Sequence, residues 1–486
     1  MTVPLLIQPD WQAPTTPLRH TWEGVVNIDQ FRWLVRKDCL EHVAMAKREL
    51  GATHVRAVGM FCDELRTWGM DPTYFGKPGP HPPRLNWQVV DYIIDELAEI
   101  GLLPQYTTSF TPSHMASGEL TCFSTRSRTS PPKDWDQWES FVFDAVQHQV
   151  HHRSAEVVKN WWFEVWNEPN LSPPFWGGDQ KAFFTLWERT YRAIKRVNPS
   201  LRVGGPSAAR AEWVGDLLDF GRKNGCEPDY IITHCYNNDS AGKPLSPFEG
   251  PQGDKENLSP HFFAGVARGV RKVLDQAGYR GDVMWNEWGR SWHPYAPARE
   301  TASEAAWVVK SMAEVSQLAD SFGFWCLSDI YDQVGYGSEA FHGNYGMLSL
   351  QGLRKPVYHA FQLLSRLGTK RAPVTGIGLT LNQGAIATIN GSGRSVLVYA
   401  YTENEERSRV DVRIPGVPAG ARLTRVSDVE NNILADWRSL GAPANLTRDQ
   451  QRHLHARNLL SSTAVPVIDG VASFALETPG IALVEW

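Results

Sequence analysis

The sequence lacks several features that mark large classes of protein. No stretch approaches about 18 uninterrupted apolar residues, which argues against a membrane-spanning helix. Basic residues are not in excess, because 48 lysines and arginines face 53 aspartates and glutamates, for a net charge of -5. This balance argues against nucleic acid or an anionic membrane as the main partner. No P-loop, GxSxG elbow or GxGxxG dinucleotide turn occurs.

Cysteines are few, and the chain start carries no recognisable leader. The six cysteines are scattered without a CxxC pair, so neither a disulfide framework nor a zinc motif is indicated. No basic segment followed by a long apolar run opens the chain, so we expect a cytoplasmic protein without a secretory signal. His148, His151 and His152 have metal-like spacing, but without Cys or HExxH this favours a solvated helix face.

Aromatic residues, in contrast, are abundant. The chain has 20 tryptophans, and aromatic residues make up 11% of the sequence. Flat aromatic faces are a common platform for sugar rings, although large aromatics also fill cores and domain interfaces.

From about residue 20 to residue 368, short apolar runs alternate with amphipathic stretches of helical period. We predict strands at Gly24–Asn27, His54–Val58, Leu102–Thr107, Trp161–Val165, Arg202–Gly204, Tyr230–His234, Asp282–Trp285 and Phe322–Leu327. We predict helices at Lys37–Leu50, Val89–Ile100, Asp134–His152, Gln180–Val197, Trp213–Asn224, Phe262–Ala277, Glu300–Leu318 and Pro356–Leu367. About eight strand–helix units predict an α/β fold, a (β/α)8 barrel, over residues 16–368, with a doubly wound open sheet as the alternative.

The pattern changes after Gly368. Alternating segments separated by turn signals predict an antiparallel β-sandwich over residues 369–486, with a possible short helical turn near Thr447–His453 and no other helix. We expect residues 1–15, which precede the barrel, to add a strand to the sandwich. Three long segments follow barrel strands, and we expect them to shape a pocket: Phe75–Arg84, Ser240–Gly253 and Ser328–Leu353.

Two predicted strands end in the dipeptide Asn-Glu. Glu168 ends the fourth strand in WWFEVWNEPN, where Pro169 cannot extend the sheet, and Glu287 ends the seventh in DVMWNEWGRS. Carboxyl ends of barrel strands carry catalytic groups, and strands four and seven face each other across a barrel. Glycoside cleavage needs such a pair, one as acid and one as nucleophile or base. Burial among Trp161, Trp166 and Trp176 would keep the acid protonated.

The sequence FEVWNEPN with the later NEW resembles glycoside hydrolase family thirty-nine, the β-xylosidase and α-L-iduronidase family. The resemblance extends from about residue 20 to the C-terminus, and it implies a retaining mechanism with Glu168 as acid/base and Glu287 as nucleophile. It also implies roles for seven further residues, in binding the sugar or in orienting and steadying the nucleophile: Asn167, Arg56, His234, Tyr236, Trp325, His342 and Gly343. This mechanism needs neither a metal nor a cofactor.

Some of these residues have simpler explanations. Arg56 could pair with Asp63 or Glu64, His234 could be a structural histidine, and Trp325 could belong to the barrel core. The chain also departs from the family pattern. Val58 stands where many members have a sugar-binding histidine, and Asn286 stands where the family often has threonine.

The sequence therefore predicts an exo-acting, retaining β-xylosidase that releases xylose from the nonreducing end of xylo-oligosaccharides or other small glycosides. The same chemistry on an α-L-arabinoside, β-glucoside or α-L-iduronide is the nearest alternative; for the last, Arg290 is a conceivable carboxylate partner. An endo-xylanase fits less well, because long rim loops suggest a pocket. A carbohydrate-binding barrel without activity is the alternative from another class, and the oligomeric state stays open.

Overall fold

The computed structural model describes residues 4–69, 84–239, 259–333, 335, 337–403 and 406–486. Eight parallel strands follow one another in chain order in a single sheet. These barrel strands, numbered one to eight, are Val25–Gln30, His54–Val58, Leu103–Thr107, Trp162–Glu164, Val203–Ala208, Tyr230–Tyr236, Asp282–Gly289 and Ser321–Phe324. The Asn27 amide donates to the carbonyls of Gly323 at 3.0 Å and Phe324 at 3.1 Å, so strand one meets strand eight. The predicted barrel is confirmed, and the open sheet is wrong.

Amphipathic helices surround the barrel with their apolar faces on the strands. Their bounds are Lys37–Leu50, Gln88–Ile100, Trp135–Arg153, Ala155–Val158, Gln180–Val197, Val214–Asn224, Phe262–Gln276, Ala302–Val315 and Pro356–Ser365. Local signals set the helix ends. The Asp179 side chain accepts the backbone N–H of Ala182 at the start of one helix, and Gly51 ends another in the left-handed region at φ 75°.

Shorter elements decorate the loops of the barrel. They are the 3-10 turns Thr21–Glu23, Phe31–Val35, Asp63–Leu65, Ala209–Ala211 and Pro297–Glu300, and the two-residue strands Trp68–Gly69, Arg84–Leu85, Thr121–Cys122 and Ser127–Arg128. Thr121–Cys122 and Ser127–Arg128 pair as an antiparallel hairpin after strand three.

Two further sheets, mainly antiparallel, are formed by strands that follow the barrel in the chain and by two strands that precede it. One contains Val374–Ile377, Leu5–Pro9, Ser408–Pro415, Val471–Thr478 and Val467–Ile468, and the other contains Thr16–Pro17, Lys370–Ala372, Gln383–Asn390, Gly393–Ala400, Gly480–Glu485, Arg422–Val426 and Thr463–Ala464. The segment Leu5–Pro9 pairs with Val374–Ile377 and Ser408–Pro415. The inward residues of these strands form a core of their own.

The expectation that no helix besides a short turn near residue 447 follows the barrel is wrong. Helices span Ile433–Ser439 and Arg448–Arg457. The first is only two turns long and is stabilised by tertiary packing, because its Trp437 ring contacts Phe341 from the barrel at 5.3 Å. Such a short segment carries too little apolar period to be recognised in the sequence.

The two parts of the chain share a hydrophobic core. Six buried residues of the second sheet belong to the barrel's core cluster: Ile386, Leu397, Tyr399, Val426, Ile481 and Leu483. This sheet covers the helix Ala302–Val315, which is buried on nearly all sides. Within the described ranges, no helix is both long and apolar enough to cross a membrane.

Candidate active site

The chain turns sharply where barrel strand four ends. Trp166 and Glu168 have φ values of 68° and 46°, in the left-handed region that side chains with a Cβ rarely adopt. The backbone N–H of Glu168 donates to the Ser207 carbonyl of strand five at 2.8 Å. Non-glycine residues in this region persist where the surrounding structure holds them, commonly at functional sites. The turn directs Glu168 into a cavity at the carboxyl end of the barrel.

Barrel strand seven brings Glu287 to the same cavity. Glu287 lies beside His234 in the register of strands six and seven. The Tyr236 hydroxyl donates to Glu287 Oε1 at 2.8 Å, and Arg56 Nη1 donates to Glu287 Oε2 at 2.8 Å. Both carboxylate oxygens are therefore held, which fixes the direction in which Glu287 faces the cavity.

Glu168 and Glu287 are close to each other. One carboxylate oxygen of each lies within 4.8 Å of the other, and a ring nitrogen of His234 lies within the same distance of both. Retaining glycosidases have their carboxyl groups about 5–5.5 Å apart, whereas inverting enzymes need about 6.5–9.5 Å to admit a water. The separation fits the retaining arrangement.

The surroundings of Glu168 and Glu287 affect their pKa values differently. Burial raises the pKa of Glu168 to about 7. Burial and the nearby charge of Glu168 also raise the pKa of Glu287, but the charge of Arg56 and the Tyr236 hydrogen bond oppose that rise. Two carboxyls whose environments differ in this way can act as acid and nucleophile. Burial thus favours the protonated form of Glu168, and the ion pair with Arg56 favours the ionised form of Glu287.

Arg56 is anchored by a carboxylate that the sequence analysis did not single out. Arg56 is fully buried, and its Nε and Nη2 donate to Glu164 at 2.9 and 3.1 Å. Burial would raise the pKa of Glu164, but the charge and hydrogen bonds of Arg56 hold it below its usual value. Arg56 thus forms its ion pairs with Glu164 and Glu287, and not with Asp63 or Glu64.

Asn167 is oriented by the same guanidinium. Arg56 Nη2 donates to Asn167 Oδ1 at 2.6 Å. Because the amide oxygen is engaged, the Asn167 amide nitrogen keeps its two hydrogens for the cavity that the residue lines. That polarity suits donation to a sugar hydroxyl.

His234 lies behind both glutamates. Its Nδ1 is 3.1 Å from Glu168 and 3.6 Å from Glu287, and its Nε2 is 3.5 Å from Arg56 Nη2. Burial lowers the pKa of His234 to about 4, so the ring is neutral at neutral pH. Because ionised carboxylate oxygens only accept hydrogen bonds, the tautomer that suits this site carries its proton on Nδ1, which faces Glu168 and Glu287.

The cavity has a volume of about 690 Å3. Its described lining residues are Val58, Thr121, Cys122, Phe123, Asn167, Glu168, Leu171, Pro174, Phe175, Ala209, Arg210, Tyr236, Asp239, Glu287, Trp292, Pro294, Trp325, Gln333 and Tyr345. Trp325 lines it with its ring 5.9 Å from the Arg56 guanidinium. Val58 also lines it, so the cavity has an apolar side chain where the family pattern often has histidine.

Of the three loops expected to form the rim, Ser328–Leu353 reaches the cavity through Gln333 and Tyr345. Phe75–Arg84, apart from Arg84, and all of Ser240–Gly253 lie outside the described residues. Trp161, Trp166 and Trp176 are fully buried in the core and are not among the described lining residues.

The structure does not bring His342 and Gly343 into the described cavity lining. The His342 Nδ1 lies 3.1 Å from the Glu339 carbonyl, and the ring contacts Tyr295 at 5.8 Å. The Gly343 N–H donates to Glu300 Oε1 at 2.7 Å. These contacts describe a folded loop rather than a surface facing the two glutamates.

Sequence reasoning missed Glu164, Arg210 and Asp239. Glu164 could have been noticed as a charged residue inside the apolar run WWFEVW. Arg210 and Asp239 line the cavity, and burial raises the pKa of Asp239 to about 7. They lie in connections after strands five and six without a local motif, so only the folded chain reveals them.

Two described groups of side chains could geometrically hold a metal. One is Glu168, His234 and Glu287, where the Arg56 cation on Glu287 disfavours a second positive charge. The other is Asp91, His148 and His152 on the outer helices. There Arg153 lies 3.1 Å from Asp91 Oδ1, and His148 lies 2.8 Å from Oδ2.

The protein is a (β/α)8 barrel with two buried carboxylates at this separation, one of them held by tyrosine and arginine. This combination is typical of glycoside hydrolases. Comparison with known proteins agrees and narrows the class. The model of glycosyl hydrolases family 39 matches residues 5–469, and the chain belongs to that family. The protein is therefore a glycoside hydrolase.

Known relatives resemble the chain over nearly its whole length. A β-xylosidase of Caldicellulosiruptor saccharolyticus is 31% identical over 89% of this chain and 87% of its own. A β-xylosidase of Geobacillus stearothermophilus is 28% identical over 87% of this chain and 84% of its own. The crystal structure of a monomeric β-xylosidase from Caulobacter crescentus CB15 superimposes with a TM-score of 0.83 at 27% identity, covering 99% of both chains.

Proposed function

We propose that the protein is a retaining β-xylosidase that removes xylose from the nonreducing end of xylo-oligosaccharides or other small β-xylosides. The observation that carries the proposal is the closeness of Glu168 and Glu287, with oxygens within 4.8 Å, combined with their different environments. The relatives named β-xylosidases support the choice of sugar.

The first step is glycosylation. Glu168 donates its proton to the glycosidic oxygen as the leaving group departs, and Glu287 attacks the anomeric carbon to give a glycosyl ester. Arg56 and Tyr236 hold both oxygens of Glu287, so the attacking carboxylate need not reorganise. Asn167 donates to the sugar 2-hydroxyl, a contact that strengthens in the transition state.

The second step is deglycosylation. Glu168, now ionised, takes a proton from a water that attacks the anomeric carbon and releases Glu287. Neutral His234 donates from Nδ1 to a carboxylate without itself changing charge. Trp325 lies under the ring in the first subsite, with Arg56 behind it.

The described cavity gives the iduronide alternative no support from Arg290. That residue is not among the described lining residues, and its Nη1 donates to Ser303 Oγ at 3.0 Å. The arabinoside and glucoside alternatives share the mechanism and differ in how the pocket fits the sugar.

Initial rates on aryl β-D-xyloside, β-D-glucoside, α-L-arabinosides and α-L-iduronide test the proposal with one folded preparation. We expect the xyloside to lead by at least tenfold. Glu287→Ala should abolish turnover, whereas Glu156→Ala, at a side chain 80% exposed on the outer surface, should not. A different leading sugar would overturn the xyloside proposal, and binding of xylosides without any turnover would favour the noncatalytic barrel.

A further inference from the structure

The leaving-group side of the cavity can be identified from Glu168. A general acid must reach the glycosidic oxygen, so the lining residues grouped around Glu168 are placed to meet the departing group. Leu171 belongs to the turn of Glu168, because its N–H donates to the Glu168 carbonyl at 3.0 Å. The Phe175 N–H donates to the Leu171 carbonyl at 3.0 Å and continues the same turn.

Two more elements complete this wall. The Ala209 N–H donates to Asn170 Oδ1 at 2.8 Å, and this bond places Ala209 beside the turn of Glu168. Phe123, at the tip of the hairpin after strand three, approaches Phe175 with ring centroids 5.8 Å apart. The hairpin is tied to the barrel, because Thr125 Oγ1 donates to Gln30 Oε1 at 3.3 Å and the Ser124 hydroxyl donates to Asp332.

Among the described residues, the wall is mostly apolar. Five of its lining residues offer no side-chain hydrogen-bonding group: Phe123, Leu171, Pro174, Phe175 and Ala209. Its described polar members are Thr121, Arg210 and Asp239, and Asp239 Oδ2 already accepts the Tyr236 N–H at 2.7 Å. A second xylose would bring several hydroxyls against this surface, and a buried hydroxyl without a partner is unfavourable. A flat hydrocarbon group would gain contact with two aromatic rings.

We propose that the preferred leaving group is a flat, apolar aglycone, so that monoxylosides of aromatic alcohols or phenols are better substrates than xylo-oligosaccharides. The inference rests on the proposed xylosidase function and narrows it to one class of substrate. Phe123 is then a specificity residue of the leaving-group site.

The test compares 2-phenylethyl β-D-xyloside, methyl β-D-xyloside and xylobiose. All three leaving groups are alcohols, so the comparison reports contact with the leaving group more than its acidity. We expect kcat/KM for the phenylethyl glycoside to exceed that for xylobiose by at least tenfold. Phe123→Ala should lower the ratio of phenylethyl to methyl glycoside at least fivefold. Phe143→Ala, on the outer helix Trp135–Arg153, should leave that ratio as it is.

A xylobiose value equal to or above the phenylethyl value would overturn the inference, as would an unchanged ratio in Phe123→Ala. Binding gives a readout that does not depend on turnover. Glu287→Gln should bind 2-phenylethyl β-D-xyloside at least tenfold more tightly than xylobiose in calorimetry, and equal binding would contradict the proposed site. If an aryl glycoside of another sugar leads in the rate survey, the xylosidase proposal fails. The leaving-group inference is then tested separately, by comparing kcat/KM for the phenylethyl glycoside of that sugar with kcat/KM for the corresponding disaccharide.

Discussion

Glu168 and Glu287 must be in opposite protonation states at the start of the reaction, and Glu287 has an arginine and a tyrosine on its carboxylate to favour its ionised form. Burial raises the pKa of Glu168 to about 7, so the group is protonated below that pH and ionised above it. We predict that kcat/KM on an aryl β-xyloside falls about tenfold per pH unit above pH about 7, because the acid form is lost. Burial lowers the pKa of His234 to about 4, so the titration of this histidine does not cause the alkaline limb, the fall in kcat/KM above pH about 7.

Glu168→Gln supplies the control for the pH profile. With a 2,4-dinitrophenyl β-xyloside, whose leaving group needs no proton, the variant should keep measurable turnover and lose the alkaline limb. An alkaline limb that persists at the same pH in Glu168→Gln would assign it to another group.

Glu164 does not line the cavity, but it holds Arg56, which donates to the nucleophile Glu287. It and Arg56 are fully buried, and Arg56 in turn donates to Glu287 and Asn167. Removing one partner of a buried ion pair costs about 3–5 kcal/mol of stability. We predict that Glu164→Ala lowers the melting temperature and kcat together, measured by thermal scanning and steady-state rates. Glu164→Gln keeps the shape and part of the hydrogen bonding, so it should recover more of the melting temperature than of kcat. A Glu164→Ala variant as stable as the unchanged protein would contradict this account.

At the scale of elements, Gly204 of barrel strand five shows how closely the strands pack. A Cβ at Gly204 would meet the Tyr230 ring at 2.1 Å and Ile232 at 2.8 Å. The Tyr230 hydroxyl donates to the Phe163 carbonyl of strand four, so a shift of that ring reaches the strand that leads to Glu168. We predict that Gly204→Ala destabilises the protein by about 1–3 kcal/mol and lowers kcat.

Gly215 supplies the matched control, since a Cβ there meets only Val273 at an ordinary 3.7 Å. Gly215→Ala in its helix should be neutral or slightly stabilising. Denaturant unfolding monitored by tryptophan fluorescence distinguishes the two variants. Equal midpoints for Gly204→Ala and Gly215→Ala would show that the barrel tolerates movement of Tyr230.

The elements were largely predictable, and the reasons are local. His54–Val58, Lys37–Leu50 and Gln180–Val197 have the bounds that the apolar period predicts. Strand seven, Asp282–Gly289, runs four residues beyond its predicted end at Trp285, because sheet pairing continues past the apolar run. The helix Ile433–Ser439 was missed because it depends on packing against distant residues.

The site residues that stand in a motif at the end of a strand were predictable from the sequence, and those outside such motifs were harder to find. Glu168, Glu287 and Asn167 stand in such motifs, and the structure brings them to one cavity. The charge of Glu164 inside an apolar run is visible in the sequence, but its role is not, because its partner Arg56, 2.9 Å away, comes from another strand. Phe123 reaches the cavity on a hairpin whose turn has φ 62° at that residue, a conformation that no sequence period indicates.

At the scale of the whole molecule, the barrel and the sheet that covers it form one core. Ile481 is fully buried in the cluster that contains the barrel helices, whereas Ile468 is 75% exposed at the edge of the other sheet. We predict that Ile481→Ala costs about 2–5 kcal/mol and that activity and tryptophan fluorescence are lost at the same temperature. Ile468→Ala should leave the melting temperature within experimental error. Two separate transitions in the Ile481→Ala variant would show that the barrel is stable without the sheet.

The measurement that tests the central claim most directly is trapping with 2-deoxy-2-fluoro-β-D-xylosyl fluoride, followed by intact mass and peptide mapping. The fluorine slows both steps, and the good leaving group lets the first proceed, so a glycosyl ester accumulates on the nucleophile. We predict a mass increase of one fluoroxylosyl group, located on the peptide that contains Glu287. Labelling on another residue, or fluoride release with no covalent adduct, would contradict a retaining β-xylosidase that uses Glu287 as its nucleophile.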